Sequence, residues 1–397
     1  MFSKLKHVSL ETYIAIFITI MACITRLSMA IGQISYVLAI LLTGILIYKQ
    51  RHTYKIPTYV KKYAKAYGIM LLFLLPSVLF TGNISVSFPE FFNVWIWRIP
   101  VFAIIVLGIK NKNTLLTMLA IFLLVFGIDN LVAFIQPIIG YVPRGYGFGS
   151  SPLTIAGIMV MMTPVMLVAL WDSVFPNYVK QSSFFALFSM FFGMHGNQSR
   201  GSWIFTLLLF PFASWQYIWA KKKYLILSLA VIATVIALFA SQPFYVAKFY
   251  SIANTTTDGS NLGRFDVWQS SVNMFKDHPL IGVGIGQWRD YYELMYRLPR
   301  ETQHLYHAHS NFFQLISEVG AIGFIGVVGF YLFLVIDSFK NWMKDKNPYD
   351  LAACGAIIGY IFLFGQFEYT LDNSSGLRIM YFILGILWQL KYISYKS

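Results

Sequence analysis

The sequence predicts an all-α polytopic membrane protein with about 12 transmembrane helices. Of its 397 residues, 57% are hydrophobic and 12% are charged, whereas soluble domains carry roughly twice that charged fraction. Apolar runs of roughly 17 to 25 residues, each long enough to cross a bilayer, recur along the whole chain. One polar segment, residues 242–311, is much longer than the others. It is expected to form a single large loop on one side of the membrane.

The apolar runs set the positions of the expected spans. The start of the chain does not have the pattern of a cleavable signal peptide, because no small-residue cleavage site comes after a short apolar core. The first apolar run is therefore expected to remain as a transmembrane helix. Cys23 and Cys354 fall inside expected spans and are interpreted as buried apolar residues rather than as a disulfide or metal ligands. Two further helices are expected inside the long loop, near 263–276 and 287–297. The twelve spans are expected near residues 10–30, 33–48, 66–81, 95–109, 114–138, 153–171, 182–195, 201–219, 224–241, 312–336, 351–367 and 376–392.

The distribution of basic residues predicts the orientation in the membrane. Eighteen of the 20 lysines fall on one side of these spans, which the positive-inside rule makes the cytoplasmic side, together with both termini. The arginines are sorted the other way, and the positive-inside rule does not explain a difference between the two residue types. A guanidinium group offers a planar fork that matches phosphate, whereas a lysine is a point charge. The outer arginines therefore predict a phosphate-bearing ligand, with interfacial snorkelling as the alternative for two or three of them. They are Arg26, Arg98, Arg144, Arg200, Arg264, Arg289, Arg297, Arg300 and Arg378.

Three histidines, His304, His307 and His309, lie within six residues just before an expected helix. Asn311 and Gln314 are spaced as a capping pair for that helix. An imidazole at the water interface titrates near neutral pH and suits a general base; the alternative is a polar residue with no catalytic role. The H-x2-H-x-H spacing is not a regular zinc pattern, so no metal site is predicted.

Glycines and buried acids supply further candidates. Gly282, Gly284 and Gly286 in DHPLIGVGIGQW do not form a dinucleotide fingerprint and predict a tight turn in which backbone approaches backbone. Asp129 and Glu318 are acids inside expected spans, either functional or contacts between helices. Glycine at every third position after the histidines favours close approach of a neighbouring helix. These glycines are Gly320, Gly323, Gly326 and Gly329.

The stretch HSNFFQLISEVGAIG fits the pattern H-[NSQ]-x9-G-x-x-G, which begins here at His309 and ends at Gly323. In this it resembles the O-antigen ligases, part of a superfamily of bacterial membrane glycosyltransferases that includes O-antigen polymerases and O-oligosaccharyltransferases. The resemblance covers roughly residues 200–329, including HPLIGVGIG. It implies a GT-C-like fold with one large periplasmic loop, and metal-independent, inverting glycosyl transfer without a cofactor.

The resemblance also implies substrates and residue roles. Such an enzyme transfers a polysaccharide from undecaprenyl diphosphate to a sugar of lipid A–core, in the bacterial inner membrane with its active site facing the periplasm. Membrane lipid is an expected partner and nucleic acid is not. The family's loop histidine falls on His309 as the base, and its two arginines fall on Arg200 and Arg264. Candidate substrate-binding residues are Arg144, Arg289 and His307.

Three regions follow from this interpretation. N-terminal transmembrane helices occupy residues 1–195, the ligase/polymerase core with its periplasmic loop 242–311 occupies 196–336, and C-terminal transmembrane helices occupy 337–397.

Three alternatives remain at this point. O-antigen polymerases use the same donor, but often carry two sizeable periplasmic loops with R-x10-G patterns. Here one loop is large, and no glycine stands eleven residues beyond the arginines of the outer loops. Protein O-oligosaccharyltransferases are usually longer at the C-terminus. A transporter or flippase predicts charges deep in several spans and symmetric halves; this chain has few deep charges and no visible half repeat.

Overall fold

The computed structural model describes residues 9–220, 226, 229–230, 233, 243–251, 259–301 and 304–395. The regular structure of these residues is entirely helical, so the all-α class is confirmed. In chain order the helices are α1 Leu10–Ile24, α2 Met29–Lys49, α3 Thr58–Leu79, α4 Ile84–Gly108, α5 Lys112–Ile138, α6 Pro152–Trp171, α7 Asn177–Asn197, α8 Arg200–Ala220, α9 Pro243–Tyr250, α10 Gly259–Asp277, α11 Trp288–Tyr291, α12 Asn311–Asp345, α13 Pro348–Gln366 and α14 Ser374–Ser394. A π-helical turn, Tyr292–Tyr296, directly continues α11.

Eight helices among the described residues are long and apolar enough to cross a membrane: α2 to α6 and α12 to α14. The polytopic membrane class is therefore supported, but the expected count of about 12 spans is not. Helix α1 is apolar but shorter, with 15 residues. Helices α7 and α8 coincide with two expected spans without being apolar enough to count. The expected span at 224–241 lies almost entirely outside the described residues.

Helices α6 and α14 form the centre of the bundle. Every residue from Ile155 to Ala169 and from Gly376 to Leu390 is buried, as is typical of helices that are apolar all round. Helix α6 packs against α7, α8 and α13, while α14 packs against α13 and the second half of α4. Helix α12 lies along α3 and α13, which brings the histidine motif to the end of the bundle where α13 turns into α14.

Helix α12 is broken at Gly320, where φ is 63° and ψ is −170°. This conformation is essentially restricted to glycine, and a Cβ atom there would lie 2.4 Å from the carbonyl carbon of Leu280. Segment 279–284 inserts its backbone at the break and supplies the missing hydrogen bonds. Val283 and Gly284 donate to the carbonyls of Ser317 and Glu318, and Ala321 and Ile322 donate to those of Pro279 and Leu280, all at 2.9–3.1 Å.

The two interpretations of the glycines have different outcomes. The tight turn at 282–286 is confirmed, since Gly282, Gly284 and Gly286 all have positive φ. Close helix approach holds at Gly326, where a Cβ would lie 2.4 Å from Phe73 of α3, but not at Gly329, where nothing lies within 4 Å. The glycines that recur at every third position of α12 therefore do not share one structural role.

Several of the nine arginines contact other side chains of the protein, so they give no support to a phosphate ligand. Arg26 forms a buried ion pair with Asp129 at 3.1 Å, and Asp129 is thereby a contact between helices. Arg98 is 1% exposed and pairs with Asp372 at 3.1 Å. Arg378 lies against the ring of Tyr36, Arg297 pairs with Glu293, and Arg300 pairs with Asp266.

Candidate active site

The start of α12 fixes the position of the histidine loop. Ser310 is the N-cap residue, and its Oγ accepts from the amide of Phe313. The Oε1 atom of Gln314 reaches back to accept from the amide of Ala308 at 2.8 Å. The predicted capping pair of Asn311 and Gln314 is therefore wrong by one residue, because the hydroxyl of Ser310 takes the capping position.

Asn311 instead ties the loop between α13 and α14 to the histidine motif. Its Nδ2 donates to Thr370 Oγ1 at 2.8 Å, and its Oδ1 accepts from the amide of Thr370 at 2.8 Å. This places Glu368, two residues earlier in that loop, beside the histidines. Asn311 is 4% exposed, so the connection is shielded from water.

His309 and His307 share the carboxylate of Glu368. His309 Nδ1 lies 3.0 Å from Glu368 Oε2, and His307 Nε2 lies 3.5 Å from Oε1. The amide of His309 donates to His307 Nδ1 at 3.1 Å. Because that nitrogen accepts, a neutral His307 carries its proton on Nε2, facing Glu368. His309 then donates from Nδ1 to the carboxylate, which leaves the lone pair of its Nε2 available as a base.

The protonation states fit this arrangement. Burial alone raises the pKa of Glu368, but the hydrogen bond from His309 and electrostatic interaction with His307, His309 and Arg264 bring the pKa below its usual value. Burial lowers the pKa of His307, and this outweighs the opposing effect of Glu368. At neutral pH the site therefore holds an ionised carboxylate and a neutral His307.

The backbone of His309 is itself unusual. Its φ is 47°, in the left-handed region that costs a non-glycine residue about 1 kcal/mol or more. The conformation turns the imidazole towards Glu368 immediately before the extended Ser310 begins the cap. Strain of this kind persists where the surrounding structure over-determines the conformation, and it occurs frequently at functional sites.

Two of the predicted arginines, Arg200 and Arg264, lie close enough to a third, Arg144, for their charges to act on it; these three are called the arginine cluster. Burial lowers the pKa of Arg144, and the charges of Arg200 and Arg264 lower it further. Arg144 Nε donates to the carbonyl of Asn197 at 3.1 Å, and Arg200, at the start of α8, donates to the hydroxyl of Ser251. Mutual repulsion between guanidinium groups is relieved by a bound anion, so the cluster is suited to phosphate.

Helix α10 carries Arg264 to this cluster. Trp268, one turn further along, donates from Nε1 to the carbonyl of Ala308 at 2.9 Å. Its ring stacks on Phe313 of α12 with centroids 4.8 Å apart. The long loop is thereby fastened to the histidine motif, and the charge of Arg264 reaches Glu368.

The remaining candidates lie apart from the arginine cluster. Arg289 stacks on the ring of Tyr306 at 3.8 Å and lines a cavity of about 360 Å³ together with His307. His304 is exposed and pairs with Glu293 at 2.9 Å. Sequence reasoning missed Glu368, one of two acids in the short loop EYTLDNSSG; an ionisable side chain between two spans was its only signal.

The side chains of His307, His309 and Glu368 also form a group that could bind a cation. One ligand atom each from His307, His309 and Glu368 lies within 4.8 Å of the others. The hydrogen bonds to His307 Nδ1 and Glu368 Oε2, with the 3.5 Å contact between His307 Nε2 and Glu368 Oε1, already account for both nitrogens of His307 and for both carboxylate oxygens. The geometry therefore fits a hydrogen-bonded base as well as a cation site, and the two are separable by experiment.

Residues 185–328 match a family model described as "O-Antigen ligase". The matched segment contains the histidine motif, Arg200 and Arg264, whereas Arg144 and Glu368 lie outside it. A protein of Haemophilus influenzae, described as an uncharacterized protein, is 23% identical over 205 residues, which are 46% of this chain and 50% of that protein. The match therefore spans about half the length of this relative.

Proposed function

We propose, from the match of residues 185–328 to a family model described as "O-Antigen ligase", that this protein is an O-antigen ligase. It would transfer a polysaccharide from undecaprenyl diphosphate to a sugar of lipid A–core, on the periplasmic side of the bacterial inner membrane. The observation that carries the proposal is the His309–Glu368 hydrogen bond, whose carboxylate lies within reach of the charge of Arg264 from the arginine cluster. A base next to an anion site is what glycosyl transfer from a diphosphate requires.

His309 would act as the general base. A hydroxyl of the acceptor sugar gives its proton to His309 Nε2 while its oxygen attacks the anomeric carbon of the donor. General base catalysis of this kind contributes about 10²–10⁴-fold. Glu368, hydrogen-bonded to Nδ1–H at 3.0 Å, would stabilise the imidazolium that forms.

Arg144, Arg200 and Arg264 would bind the leaving group. As the bond between the anomeric carbon and the diphosphate oxygen breaks, its electron pair passes to the diphosphate. Preorganised guanidinium groups stabilise that charge without a metal ion, and the loss of one such donor costs about 10²–10³ in kcat. The attacking oxygen approaches from the face opposite the leaving group, so the anomeric configuration inverts.

The proposal is tested by deleting the gene and displaying the lipopolysaccharide of the cells on a gel. A ligase deletion leaves bare core while polymer accumulates on the lipid carrier. Core capped with a single repeat unit would instead identify a polymerase and overturn the proposed acceptor.

Complementation assigns the residues. His309→Asn and Arg200→Ala should fail to restore capped lipopolysaccharide at normal protein levels; asparagine suits the left-handed backbone at position 309. The matched control is His304→Asn, since His304 is exposed, and it should complement fully. Transfer by purified protein should also survive EDTA. Loss of activity with the chelator would mean that the histidines and Glu368 hold a cation.

A further inference from the structure

Next to the histidine pair lies a cavity that the reaction as described does not yet use. It measures about 360 Å³, within the range of small-molecule sites. His307 lines it, whereas the three clustered arginines do not. His309 itself does not line the cavity, but the centroids of the His307 and His309 rings are 4.2 Å apart, so the cavity lies next to the proposed base.

The lining of this cavity is acidic and aromatic. Three carboxylates, those of Glu90, Glu318 and Asp372, line it against one guanidinium, that of Arg289. Four aromatic side chains also contribute: Trp95, Trp288, Tyr306 and Tyr369. Carboxylates accept hydrogen bonds from hydroxyl and ammonium groups and repel phosphate, while flat aromatic rings suit the apolar faces of a sugar.

Two of the acids also hold the wall of the cavity together. Glu318 accepts from the amide of Gly286, from Gln314 Nε2 at 3.2 Å and from the hydroxyl of Tyr369 at 3.4 Å. Asp372 is paired with Arg98 at 3.1 Å. Glu90 stands on α4 where the chain approaches Gly286 closely. It is therefore the acid whose substitution disturbs the framework least.

We propose that this cavity is the acceptor subsite, and that Glu90 helps to select an uncharged or amino sugar whose reacting hydroxyl faces the histidines. The inference rests on the proposed function and adds the location and chemical class of the acceptor. The reason is that positive charge lies in the arginine cluster and carboxylates line the cavity. The diphosphate of the donor is held by the arginine cluster, and the carboxylates of the cavity keep phosphate out of the position that the acceptor must occupy.

The test is steady-state kinetics of purified protein in proteoliposomes, with lipid-linked polysaccharide as donor and lipid A–core as acceptor. Glu90→Gln should raise the KM for the acceptor about tenfold, as expected for the loss of one hydrogen bond to a charged group. The KM for the donor should change less than twofold, and kcat should change little. A donor KM that rises instead would place the donor sugar in the cavity and overturn the proposal.

Two further variants test whether the effect on the acceptor KM arises in the cavity. Glu293→Gln removes a carboxylate that pairs with His304 outside the cavity, and both KM values should stay unchanged. Ser85→Trp adds bulk at an exposed residue lining the cavity and should also raise the KM for the acceptor. If wild type transfers glycan while Glu90→Gln and Ser85→Trp keep its acceptor KM, only this inference fails. If wild type transfers none, the proposed function itself is wrong.

Discussion

Replacing Glu368 by glutamine should disable His309 without removing it. A carboxylate accepts at both oxygens, whereas an amide accepts at one atom and donates at the other. His307 is committed to carry its proton on Nε2, because its Nδ1 accepts from the amide of His309 at 3.1 Å. The glutamine oxygen must therefore face His307, and its NH₂ group must face His309 Nδ1. His309 would then accept at Nδ1 and carry its proton on Nε2, the atom that has to act as the base.

The magnitude follows from what is lost. The hydrogen bond between His309 and the ionised Glu368 spans 3.0 Å, and a bond to a charged group contributes about 1.5–3 kcal/mol. At about 1.4 kcal/mol per tenfold, kcat should fall roughly 10- to 150-fold from this bond alone. A complete change of tautomer would extend the loss towards the full contribution of a general base, about 10²–10⁴-fold.

The assay is transfer of lipid-linked polysaccharide to lipid A–core by purified protein, with kcat and both KM values determined. We expect kcat to fall about 10²-fold while the KM for the donor changes little, because the arginine cluster is untouched. Glu368→Asp, which keeps the charge, should retain more activity than Glu368→Gln. A Glu368→Gln protein with at least half of the wild-type kcat would refute the tautomer argument and the role of His309 with it.

Three other predictions concern the break in α12, the arginine cluster and the response to pH. Gly320→Ala should destabilise the protein by about 3 kcal/mol or more, because a Cβ would meet the backbone of Leu280. Gly329→Ala in the same helix is the control and should be neutral or stabilising by up to about 1 kcal/mol. Thermal unfolding in detergent compares the two variants, and equal melting temperatures would contradict this explanation of the break. Arg264→Lys should lose less kcat than Arg264→Ala, about tenfold against about 10²–10³-fold, and equal losses would show that charge alone is not what the site uses. Because burial holds the native pKa of His307 below its usual 6.5, the unfolded chain binds more protons as pH falls through that value, and stability is lost. The fall in melting temperature between pH 7.5 and 5.5 should therefore be smaller in His307→Asn than in wild type, and an equal fall would contradict the shift.

Much of the helical layout is accessible from sequence, because the bilayer dictates the length and composition of a span. The break at Gly320 is not accessible, since the apolar pattern of α12 continues across it and the partners of the broken turn come from segment 279–284. The N-cap residue of α12 also depends on contacts with distant segments of the chain, and it therefore differs by one residue from the prediction. A serine hydroxyl and an asparagine amide both suit an N-cap, and only the contacts of Asn311 with the loop after α13 decide between them.

The site was only partly predictable, and the arginines show why. Residue type and side of the membrane drew attention to nine of them, but Arg26, Arg98 and Arg378 are committed to partners within the protein. Sequence does not reveal whether a guanidinium meets a carboxylate contributed by a distant helix. Glu368 was missed for the converse reason, since its significance comes from the histidines that Asn311 brings to it across some 60 positions of chain.

The arrangement of charge around the histidines constrains the course of the proposed reaction. The charge of Arg264 acts on Glu368 and, with that of Arg200, on Arg144, whereas His307 lines the acidic cavity. An attacking hydroxyl must approach the anomeric carbon from the side opposite the departing diphosphate, so donor and acceptor have to enter from different directions. If both were held by cations, the phosphates of the donor would compete for the acceptor position and slow transfer. Separate cationic and acidic regions, with His307 and His309 on the carboxylate of Glu368 between them, avoid that competition. For this reason the removal of Glu90 should weaken binding of the acceptor, whereas the removal of Arg264 should weaken stabilisation of the leaving diphosphate.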